Sequence, residues 1–334
     1  MNRNFKDGLT CWTVAAGLAL LAAAAVPIRA ADMDTSGLDV IQVRPNFYMI
    51  AGAGGNIGVQ IGTDGIVLVN AGTAAASSKV LAELHKLTPL PIRYVIDTNA
   101  DDDFVGGNEI LSKAGKTIFT NVLGNQALTE AMTNGGAASI LAHDSILQRM
   151  STPSGQKSKY PDAALPTEAF YPNRYTLRMN GEGIEITYQP AAHSNADSFA
   201  LFRGSDVVVA GDVIDTTRFP TIDLANGGTI QGEIDALNKL IELAIPPTPY
   251  IYSGPGTFVI PGHGRLCEQM EVVDYRDMVV VVRDVIADMI KRDMTLDQIE
   301  AAHPAKPYET EYGTQPESTN KFVEEIYKSL TAKK

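Results

Sequence analysis

The chain has 334 residues with 27 Lys and Arg against 39 Asp and Glu, a formal net charge of −12. So acidic a chain repels phosphate backbones, which argues against a nucleic-acid partner. Two cysteines, Cys11 and Cys267, give no basis for a disulfide framework.

The first thirty residues read as a leader. A weakly positive start, "MNRNFKDGLTCWT", precedes the apolar run "VAAGLALLAAAAVPI" and the small residues of "IRAAD". That is the pattern of a secretory signal peptide over residues 1–30, and the apolar run is short for a bilayer span. Cleavage is expected near Ala30, giving a periplasmic or secreted protein of residues 31–334. Without Arg3, Lys6, Arg29 and Asp7, 24 basic and 38 acidic residues remain, along with Cys267 as the one cysteine and no tryptophan. No other long apolar stretch predicts a membrane span.

"DVIQVRPNFYMIAG" and "NIGVQIGTDGIVLVNAG" alternate apolar and polar residues around glycine-rich turns, which predicts three or four antiparallel strands. "GAGGN" leads into a hairpin and not a helix, so it is a turn rather than a phosphate cradle. "AASSKVLAELHKL" has helical spacing with a serine cap. A strand "IRYVID", a loop "TNADDDFVGG", a helix "GNEILSKAG" and a strand "TIFTN" follow, and residues 122–150 read as helical. "STPSGQKSKYPDAALP" is a polar loop, the expected place for a flexible flap. The second half repeats the alternation: a hairpin in "EAFYPNRYTLRMNGEGIEITYQP", strands "DSFALF" and "DVVVAGDVI", an amphipathic helix "GEIDALNKLIELA" and a strand ending at His263. Helices fill the C-terminus. With no linker to split it, residues 31–334 are expected to form a single domain.

Polar residues gather where apolar runs end: at residues 97–104, around His193 in "AAHSNADS", around Asp212 in "AGDVID" and around His263 in "IPGHG". Strand-end loops over a rigid sheet are where sites are built. Singly, each has a plainer reading. A lone histidine is usually a hydrogen-bonded structural residue, and three consecutive aspartates usually form a solvated turn. Asp102 fits the turn reading. If the fold brings Asp101, Asp103 and Asp212 together, crowding them without a cation would cost repulsion, which argues for a bound ion. His143, His85, His303, Tyr250, Tyr252 and Phe219 carry weaker signals of surface, core or pocket lining.

Taken in order, five of these segments resemble the metallo-β-lactamase superfamily: the opening hairpin "GGNIGVQIGTDGIVLVNAG", "TNADDDFVGGNE" at the family's Thr-His-x-His-x-Asp-His-x-Gly-Gly-Asn loop, "AAHSNADSFALF", "AGDVI" and "PGHG". The resemblance implies a four-layer αββα sandwich with a metal site between the sheet edges. The family's first two histidines fall on Asn99 and Asp101, its aspartate on Asp103, its next histidine on Phe104 and the acid of its Leu-Val-Asp-x-Gly on Asn70. Asp101, Asp103, His193, Asp212 and His263 are then the metal candidates, with Asp103 and Asp212 closest to the chemistry and Asn99 as a further oxygen donor. Oxygen donors in place of imidazole tilt selection from zinc toward harder ions. One divalent ion, Zn, Mn or Fe, is expected, and Phe104 argues against a two-metal site. The resemblance implies a hydrolase opening an ester, lactone, amide or related bond of a small-molecule substrate with a metal-activated water. The alternative is a non-catalytic relative that binds a small molecule or a periplasmic partner.

Overall fold

A computed structural model describes residues 37–118, 136–151, 159–248, 256–313 and 316–332. The expected leader, Tyr250, Tyr252 and the residues of "TIFTN" from 119 onward lie outside them.

Among the described residues, twelve strands form two sheets. In the first, β1 (Asp39–Arg44), β2 (Phe47–Ala51), β3 (Ile57–Gly62), β4 (Gly65–Val69), β5 (Ile92–Ile96), β6 (Ser139–His143) and β7 (Glu168–Phe170) lie in chain order. The pairs from β1 to β4 are antiparallel and those from β4 to β7 parallel. The second sheet runs β12 (Phe258–His263), β11 (Val207–Asp215), β10 (Asp197–Phe202), β9 (Glu182–Gln189), β8 (Arg174–Met179).

Period-two alternation divides the buried side chains between layers. From β4 and β5, Val67, Val69, Tyr94 and Ile96 point inward, where they meet Ala200, Phe202, Val207 and Val209 of the second sheet. Ile66, Leu68 and Val95 point outward onto α1 (Ser77–Leu87) and α3 (Asn108–Ala114), through Val80, Leu84 and Leu111. The outer face of the second sheet packs Phe199, Val208 and Ala210 against α5 (Ile230–Leu243), α6 (Gln269–Lys291) and α7 (Pro316–Thr331). The result is the expected αββα sandwich. By their contacts, residues Thr35–Lys334 group as one unit. No helix among the described residues is long and apolar enough to cross a membrane.

Two local expectations differ from what is observed. Residues 139–143 are strand β6, and the helix α4 begins only at Asp144 and ends at Met150. "SILAH" pairs in parallel on both sides, so it is buried on both faces and lacks the alternation that marks a strand. The cap of α1 is Ala76, with no side-chain hydrogen bond; Thr73 Oγ1 accepts from the Ala76 amide at 3.3 Å instead. Of the loop expected to form a flap, residues 152–158 lie outside the described residues; beyond them the Tyr160 hydroxyl donates to Asp102 Oδ1 at 2.6 Å and lies 3.0 Å from the Ala100 carbonyl.

Candidate metal centre

Four chain segments meet at one end of the two sheets. Strand β5 delivers residues 97–101 and the short helix α2 (Asp102–Val105). The turn between β9 and β10 delivers His193, β11 delivers Asp212 and Asp215, and β12 ends on His263. Two glycines allow the approach. Gly211 has a φ of +58°, and a Cβ there would lie 2.6 Å from Thr98 Oγ1. A Cβ on Gly262 would lie 2.6 Å from Asp212 Oδ1.

The leading loop is held from beneath. Asn70 sits at a φ of 68°, a conformation asparagine tolerates better than most residues. Its Oδ1 accepts from the Thr98 amide at 3.1 Å and the Thr98 hydroxyl at 2.8 Å. An amide thus does structural service where the family carries an acid. Asp97 is fully buried and accepts from Asn108 Nδ2 at 2.9 Å. Burial pushes its carboxyl well above the usual range, against the opposing pull of that hydrogen bond.

The five expected site residues come together, but in two unlike groups. Asp101, His193 and Asp212 each offer a donor atom, all within 4.8 Å of one another, the one such set among the described residues. His193 Nδ1 lies 2.7 Å from the Thr221 carbonyl, so Nδ1 carries the proton and donates it. That leaves Nε2 facing Asp101 Oδ2 at 2.9 Å. A ring nitrogen tied back to a carbonyl with its partner aimed at the donors is the arrangement of a metal-binding histidine. The donor set therefore fits a divalent ion.

The second group is a chain rather than a cup. His263 places Nε2 at 2.9 Å from Asp103 Oδ2 and Nδ1 at 3.2 Å from Asp212 Oδ1. Its two nitrogens point at different carboxylates, so the three do not converge. Phe104, where the resemblance places a histidine, is fully buried and meets the His263 ring edge-on at 5.5 Å. It packs on bare backbone, since a Cβ at Gly55 would come within 2.7 Å of its ring. Asn99 is not free to act as a ligand through oxygen: its Oδ1 accepts from the Asp101 amide at 3.0 Å, and its Nδ2 donates to Asp212 Oδ2 at 3.3 Å. Asp102 is exposed and pairs with Lys159 at 2.8 Å.

The electrostatics follow from these contacts. Burial works to lower the His193 pKa, but the Asp101 hydrogen bond and the charges of Asp197 and Asp212 carry it well above its ordinary value. Burial opposes protonation of His263 too, yet its bonds to Asp103 and Asp212 raise it to about 9. Asp101 moves the other way: against the upward push of burial, His193, Arg149 and Lys159 hold it below the usual carboxylate range. Without an ion, both histidines hold protons at neutral pH.

Arg149 and Arg218 did not stand out in the sequence. Arg149, on α4, bonds Asp101 Oδ1 at 3.1 Å and lies 3.5 Å from Asp223. Arg218 lines a cleft of about 190 Å³ together with Asp101, Asp103, His193, Asp212 and Asp215. Asp215 was within reach of a sequence reading, because it follows Asp212 by three positions in "AGDVID".

Comparison with known proteins bears on the family and the fold. The family model of the metallo-beta-lactamase superfamily matches residues 51–255. Among solved structures, the stereoselective inverting sec-alkylsulfatase Pisa1 from Pseudomonas sp. superposes with a TM-score of 0.58 at 14% identity, over 88% of this chain and 50% of that one. This chain thus spans about half the sulfatase's length. A metallo-beta-lactamase from Pontibacter korlensis gives a TM-score of 0.51 at 11% identity, covering 72% of this chain and 98% of that one. DIM-1 metallo-beta-lactamase gives 0.50 at 14%, covering 72% and 96%. At such identities the structural likeness speaks for the fold alone, and the family match carries the assignment: this chain belongs to the metallo-beta-lactamase superfamily.

Proposed function

We propose that this protein is a periplasmic, metal-dependent hydrolase that opens an ester, lactone, amide or related bond of a small molecule, with one divalent ion held by Asp101, His193 and Asp212. The observation that carries the reading is the convergence of those three donors, with His193 Nδ1 tied to Thr221 and Nε2 left for the ion. Zn, Mn and Fe are the ions proposed, and two carboxylates to one imidazole favour the harder of them. When bound, the ion polarises a substrate oxygen and makes water a better nucleophile near neutral pH.

The protein's own groups would divide the remaining work. Asp103 lines the cleft and is the residue to orient the attacking water and take up its proton. His263, bonded to Asp103 through Nε2, is placed to hold or return a proton at that nitrogen. Asn99 fixes Asp212 from one side while its carbonyl holds the Asp101 backbone. Phe104 closes the space behind His263 against water. The alkylsulfatase neighbour adds a secondary alkyl sulfate ester to the substrates worth testing. The family match and these hydrolase neighbours weigh against a relative that only binds.

The test is a screen of protein purified without chelator, using an aryl ester, a γ-lactone, an aryl amide and a secondary alkyl sulfate, with Mn²⁺, Fe²⁺ and Zn²⁺ added separately. Metal-dependent turnover that is lost in Asp212→Ala supports the reading. Loaded protein that turns over none of them counts against it. Export is tested by N-terminal sequencing of the secreted product: cleavage near Ala30 is expected, and an intact Met1 overturns it.

A further inference from the structure

We infer that Arg149 is a positioning residue for the metal centre: its guanidinium clamps together the two segments that carry Asp101 and His193, and it occupies one oxygen of Asp101 so that the other alone is left for an ion. The inference rests on the metal-hydrolase reading and deepens it, naming a residue that is not itself a ligand.

Arg149 lies in the last turn of α4, a helix outside the four segments that deliver the site residues. Its Nη2 stands 3.1 Å from Asp101 Oδ1 and 3.5 Å from Asp223 Oδ2, so one nitrogen bridges two carboxylates. The arginine side chain is only 16% exposed and both carboxylates are partly buried, so solvent screens these pairs less than it would a surface pair. On one side, Asp101 Oδ2 is left to face His193 Nε2 at 2.9 Å. On the other, the contact reaches the stretch that fixes His193. The Asp223 amide donates to the His193 carbonyl at 2.7 Å, and the Thr221 carbonyl accepts from His193 Nδ1 at 2.7 Å. That stretch is anchored in turn, because the Ile222 amide donates at 2.7 Å to Glu325 Oε2 on α7.

A carboxylate offers two equivalent oxygens that a rotation about its own bond exchanges. Asp101 therefore presents one fixed donor only when its other oxygen is held. The neighbouring contact does not supply that restraint: Asn99 Oδ1 accepts from the Asp101 amide, which fixes the main chain and leaves the carboxylate free to turn. Arg149 supplies it. Partners of this kind orient ligands, and losing one typically weakens metal binding by about 10–100-fold. Charge alone predicts the opposite sign. A guanidinium repels a nearby dication, so an arginine that acted only as a neighbouring charge would, on removal, let the ion bind more tightly. The direction of the change separates the two.

The test reads ion affinity, not turnover. Chelator-treated parent, Arg149→Met and Arg149→Lys are titrated calorimetrically with Zn²⁺, with folding checked by circular dichroism. Arg149→Met should bind the ion about 10–100-fold more weakly. Arg149→Lys, which can set one nitrogen between the same two carboxylates, should recover most of that loss. Unchanged or tighter binding in Arg149→Met, or a lysine variant no better than the methionine one, overturns the inference. In an Asp101→His background there is no carboxylate oxygen to hold, so adding Arg149→Met should not weaken Zn²⁺ binding. An equal loss there would mean that the arginine acts on the fold at large, and overturns it too. A parent that binds no ion refutes the proposed metal centre. The clamp is then decided in metal-free protein by urea denaturation of Arg149→Met, Asp101→Asn and the pair together: losses that do not add support it, and additive losses overturn it.

Discussion

Phe104 occupies a position where the family places a metal ligand, and its surroundings make it a core residue. The ring is fully buried in a cluster with Ala100, Val105, Ala142, Ile146 and Met150. It rests on the Gly55 backbone and against the edge of His263. Removing a buried phenyl ring costs the transfer of its surface plus the cavity left behind, about 3–5 kcal/mol for Phe→Ala. Phe104→Leu keeps much of the volume and should cost about 1–1.5 kcal/mol. Phe104→His restores the family's residue type but puts a polar ring among apolar side chains, adding a desolvation cost of about 1–3 kcal/mol unless an ion binds it. Equilibrium urea denaturation of metal-free protein, followed by circular dichroism, measures all three. A loss below about 1 kcal/mol for Phe104→Ala would mean that the ring does not pack as described, and the argument that this position has passed from ligand to core would fall.

Negligible turnover of carbapenems and cephalosporins is expected, because Asn99 and Phe104 are engaged in positioning and packing rather than ion binding; rates like those of an ordinary zinc lactamase would contradict this. Asp101→His adds a nitrogen donor and should raise affinity for Zn²⁺ more than for Mn²⁺ in competitive titration; an unchanged ratio would remove Asp101 from the ligand set. In chelator-treated protein, His263 has its pKa raised from an ordinary 6.5 to about 9 by Asp103 and Asp212. A raised histidine stabilises the fold fully below the unfolded value and loses that contribution as pH rises through the folded one. Metal-free stability should therefore decline between about pH 6.5 and 9, by at most about 3–4 kcal/mol from this group. Urea midpoints that are flat or rise across that window would refute the ion-pair chain.

The sandwich was largely legible in the sequence because half-buried strands alternate, as "RYTLRM" does with Arg174, Thr176 and Arg178 exposed between its inward-facing residues. The miss at "SILAH" has the opposite cause: a parallel strand buried on both sides shows only an apolar run, which helix and strand share. The site residues were found by the order of their motifs, and the fold brings Asp101, Asp103, His193, Asp212 and His263 to one end. Their grouping was not legible. Which nitrogen of His263 faces which carboxylate depends on where β11 and β12 end relative to each other, set by an irregular register between Gly211 and Asp215. Arg149 and Arg218 were passed over because a lone arginine near a helix end or after a strand reads as a solvated surface charge. Only the fold shows that each faces a carboxylate of the site.

The central claim is that Asp101, His193 and Asp212 hold one divalent ion. Metal-free protein should be titrated calorimetrically at pH 7 in two buffers of different ionisation enthalpy, with Mn²⁺ and with Zn²⁺, alongside His193→Ala. In the metal-free state His193 carries a second proton against Asp101, and it must give that proton up to bind an ion. The account predicts one ion per chain with release of at least about one proton per ion, and no binding in His193→Ala. Absence of binding in the parent, or binding without proton release that survives the loss of His193, would contradict it.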